Sequence, residues 1–177
     1  MTAAGSLLAL PVAEWEQRQE VGVPSVRLTA DEAWAVIESS HTGVLTTLGR
    51  DGNAIALPIW FVVLDRKIYV SGPARSKRIS RVRRDPRVSF LVEHGERWAE
   101  LVAVHLTGTA RVVGDRPDLA ARVASASAAK YAAFRTDRRE MPAATREYVT
   151  VVGAILEITP HDRILSWDNS RLFEQEG

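Results

Sequence analysis

Two connections too short to cross a sheet confine this chain more than any other feature. Gly49-Arg50-Asp51-Gly52 separates the β-rich run Val44-Leu45-Thr46-Thr47-Leu48 from the apolar run Ala54 to Leu64. Asp65-Arg66-Lys67 then separates that run from Ile68-Tyr69-Val70-Ser71. Parallel neighbours need a crossover of about a dozen residues or more, so both pairs must be antiparallel. The first connection also has the composition of a hairpin turn. Pro58 cannot donate to a ladder, which places a bulge or a sheet edge near it. Further strands are expected at Arg87–Val92, at Leu101–Val113 with a bend at Gly108, and at Val149–Thr159, the last closed by Pro160-His161-Asp162. Thr29 to Glu32 reads as a capping box opening a helix with Ala33, Trp34 and Ile37 at helical spacing. A second, basic helix follows the Gly72-Pro73 break. An alanine-rich one runs from about Asp118 to Phe134, and Arg135–Arg146 reads as loop. Six strands joined mainly by hairpins predict a mainly β (α+β) fold, an antiparallel β-barrel with flanking helices, because an open sheet would leave long edges exposed.

At 177 residues, 46% hydrophobic and 25% charged, the chain has the means to bury one substantial core. Residues 28–172 carry the barrel pattern, between an N-terminal arm (1–27) without sustained period and a short polar tail (173–177). There is no cysteine, which removes disulfides, thiolate metal sites and cysteine nucleophiles together. No apolar run approaches the ~20 residues of a membrane span, and no basic cluster precedes Leu7–Leu10 as a secretory signal would require. A cytoplasmic protein is expected, without a membrane partner.

Charge is concentrated in one place. Between Arg75 and Arg87 lie seven basic residues and one acid, Asp85, in a chain of net charge +1. A helix N-terminus after a strand, with Ser76, Lys77 and Arg78 in its first turn, combines free N–H groups, the helix dipole and cationic donors, and suits a phosphate. A solvated basic face would use the same residues. Helical geometry docks Ile79 and Val82 on the barrel, points Lys77, Arg81 and Arg84 away, and sets Arg78 at the flank. Near-neutral net charge and the lack of interleaved exposed aromatics argue against a nucleic-acid partner. His41, His94, His105 and His161 show no metal-ligand spacing, and there is no nucleophile elbow or Gly-rich phosphate loop. With no set of catalytic side chains in view, any chemistry is expected to belong to a cofactor.

Gly43-Val-Leu-Thr-Thr-Leu48, Asp51-Gly52, Ala54-Ile-Ala-Leu-Pro-Ile-Trp-Phe61 and Ile68-Tyr-Val-Ser71, followed by Ser76-Lys77-Arg78 and Asp85-Pro86-Arg87-Val88-Ser89, resemble the landmarks of the pyridoxamine-phosphate-oxidase-like superfamily. Ser166-Trp167-Asp168 is similar to the ending of its actinobacterial members. The resemblance implies a six-stranded split β-barrel that forms a homodimer and holds a flavin or deazaflavin in a cleft between subunits. It also implies phosphate binding by Ser76, Lys77 and Arg78, and a cofactor ring lined by Pro58, Ile59, Trp60 and Phe61, with at least one of Trp60 and Phe61 in the core. Ser71 and Arg81 complete the implied cofactor-binding set. True pyridoxamine phosphate oxidases carry an Arg and a Lys in the ring-lining strand, where this chain is apolar from Ala54 to Leu64. The closer likeness is to members using the deazaflavin coenzyme F420 or FMN, with Arg81, Arg83 and Arg84 suited to a polyanionic tail. The expected function is hydride transfer to or from a small organic substrate, such as reduction of a C=C bond. The alternative is a non-catalytic flavin- or haem-binding carrier of the same fold.

Overall fold

The structure is a computed structural model and describes residues 25–137, 139–149 and 153–173. Its centre is one antiparallel sheet of seven strands: β1 (Gly43–Leu48), β2 (Ala54–Ile59), β3 (Val62–Leu64), β4 (Lys67–Pro73), β5 (Arg87–His94), β6 (Val102–Val112) and β7 (Gly153–Asp168). They are ordered β2-β1-β5-β6-β7-β4-β3. The two edge strands are therefore consecutive in sequence, with only Trp60 and Phe61 between them. A flat sheet cannot bring its opposite edges within two residues, so the sheet curls into an open barrel. Both predicted turns are present. Gly49 N donates to Asn53 O at 2.8 Å, and Gly52 takes φ +79°. Asp65 and Arg66 are both left-handed (φ 54° and 53°), as a type I′ hairpin requires.

Four helices flank the sheet among the described residues: α1 (Ala30–Ser39), α2 (Lys77–Arg84), α3 (Pro117–Lys130) and α4 (Ala143–Val149). The capping box of α1 forms: Glu32 N donates to Thr29 Oγ1 at 3.3 Å, and Thr29 N donates to Glu32 Oε2 at 2.7 Å. The main core lies inside the curl. Leu45, Phe61, Phe90, Val104, Leu106, Leu156 and Ile158 pack there with Trp34 and Ile37 of α1 and Ile79 and Val82 of α2. A smaller cluster, Val62, Tyr69, Leu119, Val123 and Tyr131, seats α3 on β3 and β4. Beside it, buried Glu157 accepts from Arg111 Nε (2.8 Å) and from the Tyr69 hydroxyl (3.0 Å), with Lys67 Nζ at 3.5 Å.

Four expectations need correction. The run 54–64 is two strands, β2 and β3, and the strand count is seven. Pro160-His161-Asp162 does not close the last strand, which starts at Gly153 and continues for 16 residues to Asp168. Beyond Ile158 this strand has lost β4 and pairs with β6 alone, so Pro160 sits where no ladder donor is needed on the vacated side. Within Arg135–Arg146, expected as loop, α4 begins at Ala143. Finally, Arg81 and Arg84 do not point away from the barrel. Both are tied to β1. Of the N-terminal arm, residues 1–24 lie outside the described residues. Val26 O accepts from Asp168 N at 2.7 Å, which fastens the described end to the C-terminal strand.

Candidate functional site

The site is built around the passage from β2 to β3. Pro58 is exposed on edge strand β2, opposite Val44, with Ile59 half-buried beside it. Trp60 and Phe61 then diverge. Trp60 is 40% exposed, whereas Phe61 is 2% exposed and meets Phe90 edge-on at 4.8 Å between ring centroids. Phe61 is thus core, and its backbone is also engaged. Its N–H donates to the Tyr131 hydroxyl at 2.8 Å. That hydroxyl has one proton to give, to Phe61 O (2.8 Å) or His41 O (2.9 Å). Tyr131 therefore clamps the point where the chain crosses between sheet edges, and burial raises its pKa. Its ring stacks on Trp60 at 4.2 Å with planes 1° apart. A narrow cleft of about 30 Å³ opens here, lined by Trp60, Phe61, Ser71, Val123 and Ser127 among others. So Trp60, Phe61 and Ser71, three of the predicted residues, line one cleft.

Helix α2 carries the predicted phosphate grip. Ser76 is its N-cap, yet its hydroxyl caps no N–H. Ser76 Oγ is buried with no hydrogen-bond partner among the described residues. Lys77 is exposed and Arg78 half-buried. The Arg78 guanidinium lies over Gly72: a Cβ there would come within 2.6 Å of Nη2, so a side chain at this position would displace the guanidinium from where it rests. Ser76, Lys77 and Arg78 thus stand together at the end of β4, five residues beyond Ser71. The rest of the basic surplus has other duties. Arg81 Nε donates to the buried Thr47 Oγ1 at 2.7 Å, and Arg84 Nη2 donates to Leu48 O at 2.7 Å. Both staple α2 to β1. Asp85 takes three hydrogen bonds from Arg87, which hold its pKa down at about 2 and fix the turn from α2 into β5.

The predicted set left out three residues beside this site: His41, Lys130 and Tyr131. Lys130 Nζ lies 3.9 Å over the Phe61 ring. Burial lowers its pKa to about 8, against the opposing attraction of Glu38. The signal available in the sequence was slight: three of the 23 basic residues are lysine, and this one ends an alanine-rich helix.

The comparisons with known proteins agree with this architecture. The family model described as Pyridoxamine 5'-phosphate oxidase matches residues 29–157. The chain belongs to that family. Among solved structures, the conserved hypothetical protein Rv2991 of Mycobacterium tuberculosis is 29% identical with a TM-score of 0.71, over 86% of this chain and 92% of its own. The family's fold recurs in a FAD-binding protein of Mycobacterium smegmatis (23% identity, TM-score 0.55, 78% of this chain and 95% of that one). It also recurs in HutZ, the haem storage protein of Vibrio cholerae (11% identity, TM-score 0.61, 80% and 97%). A search of curated proteins returns no match. Among the described residues, no helix is long and apolar enough to cross a membrane.

Proposed function

We propose that the protein binds FMN or the deazaflavin coenzyme F420 and serves as a dimeric oxidoreductase acting on a small organic substrate. The observation that carries the reading is the buried, unsatisfied Ser76 hydroxyl at the start of α2, with Lys77 and Arg78 in the same turn. A buried hydroxyl without a partner costs about 1–3 kcal/mol, which a phosphate oxygen would recover. The first-turn N–H groups add donors that have no intrahelical acceptor. Ser76, Lys77 and Arg78 hold the phosphate. Pro58, Ile59 and Trp60 offer the apolar wall along which a flat ring is oriented, and Tyr131 fixes that wall. Hydride chemistry comes from the cofactor when bound; these residues bind, orient and exclude water. The cations left for a deazaflavin tail are Arg75, Lys77 and Arg83, since Arg81 and Arg84 are engaged with β1.

The homodimer is part of the same proposal. Pro58, Val44, Leu91, His105 and Leu165 stand opposite one another across five strands, on the outer face. Four of the five are apolar, and none is buried.

A second reading, a flavin or haem carrier without turnover, draws on the resemblance of fold to FAD-binding and haem storage proteins and on the lack of paired acid–base groups at the phosphate end. Titration of the protein with FMN, F420 and haem, followed by absorption, separates the readings. Flavin or deazaflavin binding with turnover of the reduced cofactor supports the first; binding without turnover on a broad acceptor panel supports the second. Lys77→Ala and Arg78→Ala should each raise the flavin or deazaflavin Kd about 10- to 100-fold, the loss of one charge-assisted contact. Unchanged affinity in both variants would overturn the phosphate site.

A further inference from the structure

We propose that the aromatic cluster around Lys130 is a binding pocket for a planar carboxylate, with the Lys130 ammonium as its anion-recognising group. This deepens the proposed function by naming a substrate class, and it rests on that reading only for the claim that the bound carboxylate is the substrate. Lys130 Nζ and His41 Nε2 are both buried, and neither has a hydrogen-bond partner among the described residues. Both groups lie against Tyr131: the His41 ring at 5.3 Å between centroids, and Lys130 Nζ at 5.8 Å from the ring centroid. Thr42 Oγ1 sits 3.0 Å from His41 Nδ1. When the Thr42 hydroxyl donates there, the imidazole proton is left on Nε2, and both orphaned nitrogens are donors. Buried donors without an acceptor are rare and costly, and two in one cluster point to an acceptor that the chain does not itself supply.

The surroundings define the rest of the ligand. Phe134 packs on His41 at 4.1 Å and Trp60 meets its edge at 5.5 Å. These two rings are 57% and 40% exposed and make the solvent side of the cluster, with Phe61 and Tyr131 buried beneath them. Trp60 already stacks on Tyr131, so the ligand meets the open faces of Phe134 and Trp60, and an open ring face favours a flat partner. The Phe61 ring face stabilises an ammonium, but it leaves the three N–H bonds unmade. Glu38, the one carboxylate whose attraction is felt, makes no ion pair with Lys130. Position argues the same way. Lys130 is in the last turn of α3, where a lysine side chain could reach water beside the helix C-terminus, yet its ammonium turns inward. Elsewhere the chain meets nearly all its needs for positive charge with arginine, whose larger, permanently charged fork does not suit a desolvated point contact. Burial weakens its hold on the proton, which a bound carboxylate would restore.

The test uses the full chain without added cofactor and reads binding by calorimetry. Benzoate is the probe, and benzyl alcohol is its neutral counterpart of similar shape. Benzoate should bind at least tenfold tighter than benzyl alcohol. Lys130→Met should abolish that preference, Lys130→Arg should keep part of it, and Lys67→Met, which removes a lysine charge elsewhere, should leave it intact. Absence of benzoate binding, equal affinity for the two probes, or a preference that survives in Lys130→Met would overturn the pocket. Flavin titration of the same samples keeps the two readings apart. Lys130-dependent benzoate binding without flavin binding sinks the oxidoreductase reading and sustains the pocket. Flavin binding without a benzoate preference sinks the pocket alone.

Discussion

Lys130 gives the clearest prediction at the scale of single residues, because its charge is a liability to the folded state. A lysine's usual value near 10.5 falls to about 8 here. The folded protein therefore binds fewer protons than the unfolded chain between about pH 8 and 10.5, and stability must rise with pH across that window. Below pH 8 the lysine is protonated in both states and the penalty is present in full. Glu38 is the facing charge that opposes it. Lys130→Met should stabilise the protein by about 1–2 kcal/mol at pH 7, a figure reduced for the partly exposed stem, and should flatten the rise above pH 8. Denaturant melts of both proteins at pH 7 and 9.5 decide it, and a variant less stable at pH 7 refutes the desolvation argument. Stability gained together with benzoate affinity lost would mark a residue kept for binding. None of this was legible in the sequence, which shows that a lysine ends a helix but not which way its stem turns. That Ser76, Lys77 and Arg78 open a helix was legible, because the Gly72-Pro73 break and the spacing of Ile79 and Val82 mark a helix start whatever the rest of the fold does. Arg81 was misplaced. Eight helical residues do not reveal that β1 presents Thr47 beside them, and that contact depends on the whole sheet.

At the scale of elements, the turns and the amphipathic face of α2 were readable from local pattern alone. Ile79 and Val82 are three apart and both buried, as that spacing requires. The ends of β7 were not readable, because whether a proline stops a strand depends on which neighbour has already left the sheet. At Pro160 the ladder partner is Gly108, where the β6–β7 register shifts. The two features are one device. A Cβ on Gly108 would stand 2.5 Å from Thr159 O, a backbone atom that cannot swing aside. Gly108→Ala should therefore cost about 1–3 kcal/mol, as overpacked sites do. Gly114→Ala is the internal comparison, since a Cβ there meets nothing within 4 Å. It should change stability by less than about 0.5 kcal/mol. Thermal melts of the two variants side by side test the assignment; equal losses would mean that the bulge tolerates a side chain.

At the scale of the whole molecule, two edge strands separated by two residues force the curl, and the curl leaves a broad outer face. Val44, Leu91 and Leu165 all stand outside the core in the folded chain, and the sequence did not show that they align, since Leu165 lay beyond the expected end of the last strand. Alignment comes from three successive registers, Val44 with Leu91, Leu91 with His105, and His105 with Leu165. Cross-strand neighbours of this kind sit about 4.5–5.5 Å apart, so the row is continuous. Pro58 extends it onto β2, and Pro58 also opens the segment proposed as the cofactor wall. A second copy of the chain on this face would cover the row and close the cleft with the same contact. Leu165 is 42% exposed in the single chain. Replacing it with Glu should cost the isolated subunit little, because a charge at an exposed strand position stays hydrated. Within a dimer interface the same carboxylate would be desolvated beside its symmetry mate, at a cost of several kcal/mol. If the proposed dimer forms through this face, Leu165→Glu should sediment as a monomer at concentrations where the unaltered chain sediments as a dimer, with a Tm within a few degrees of it in denaturation under monomeric conditions. If the dimer assembles through this face, flavin affinity should fall in the same variant, since each cleft then lacks its second wall. A Leu165→Glu protein that remains dimeric would place the interface elsewhere.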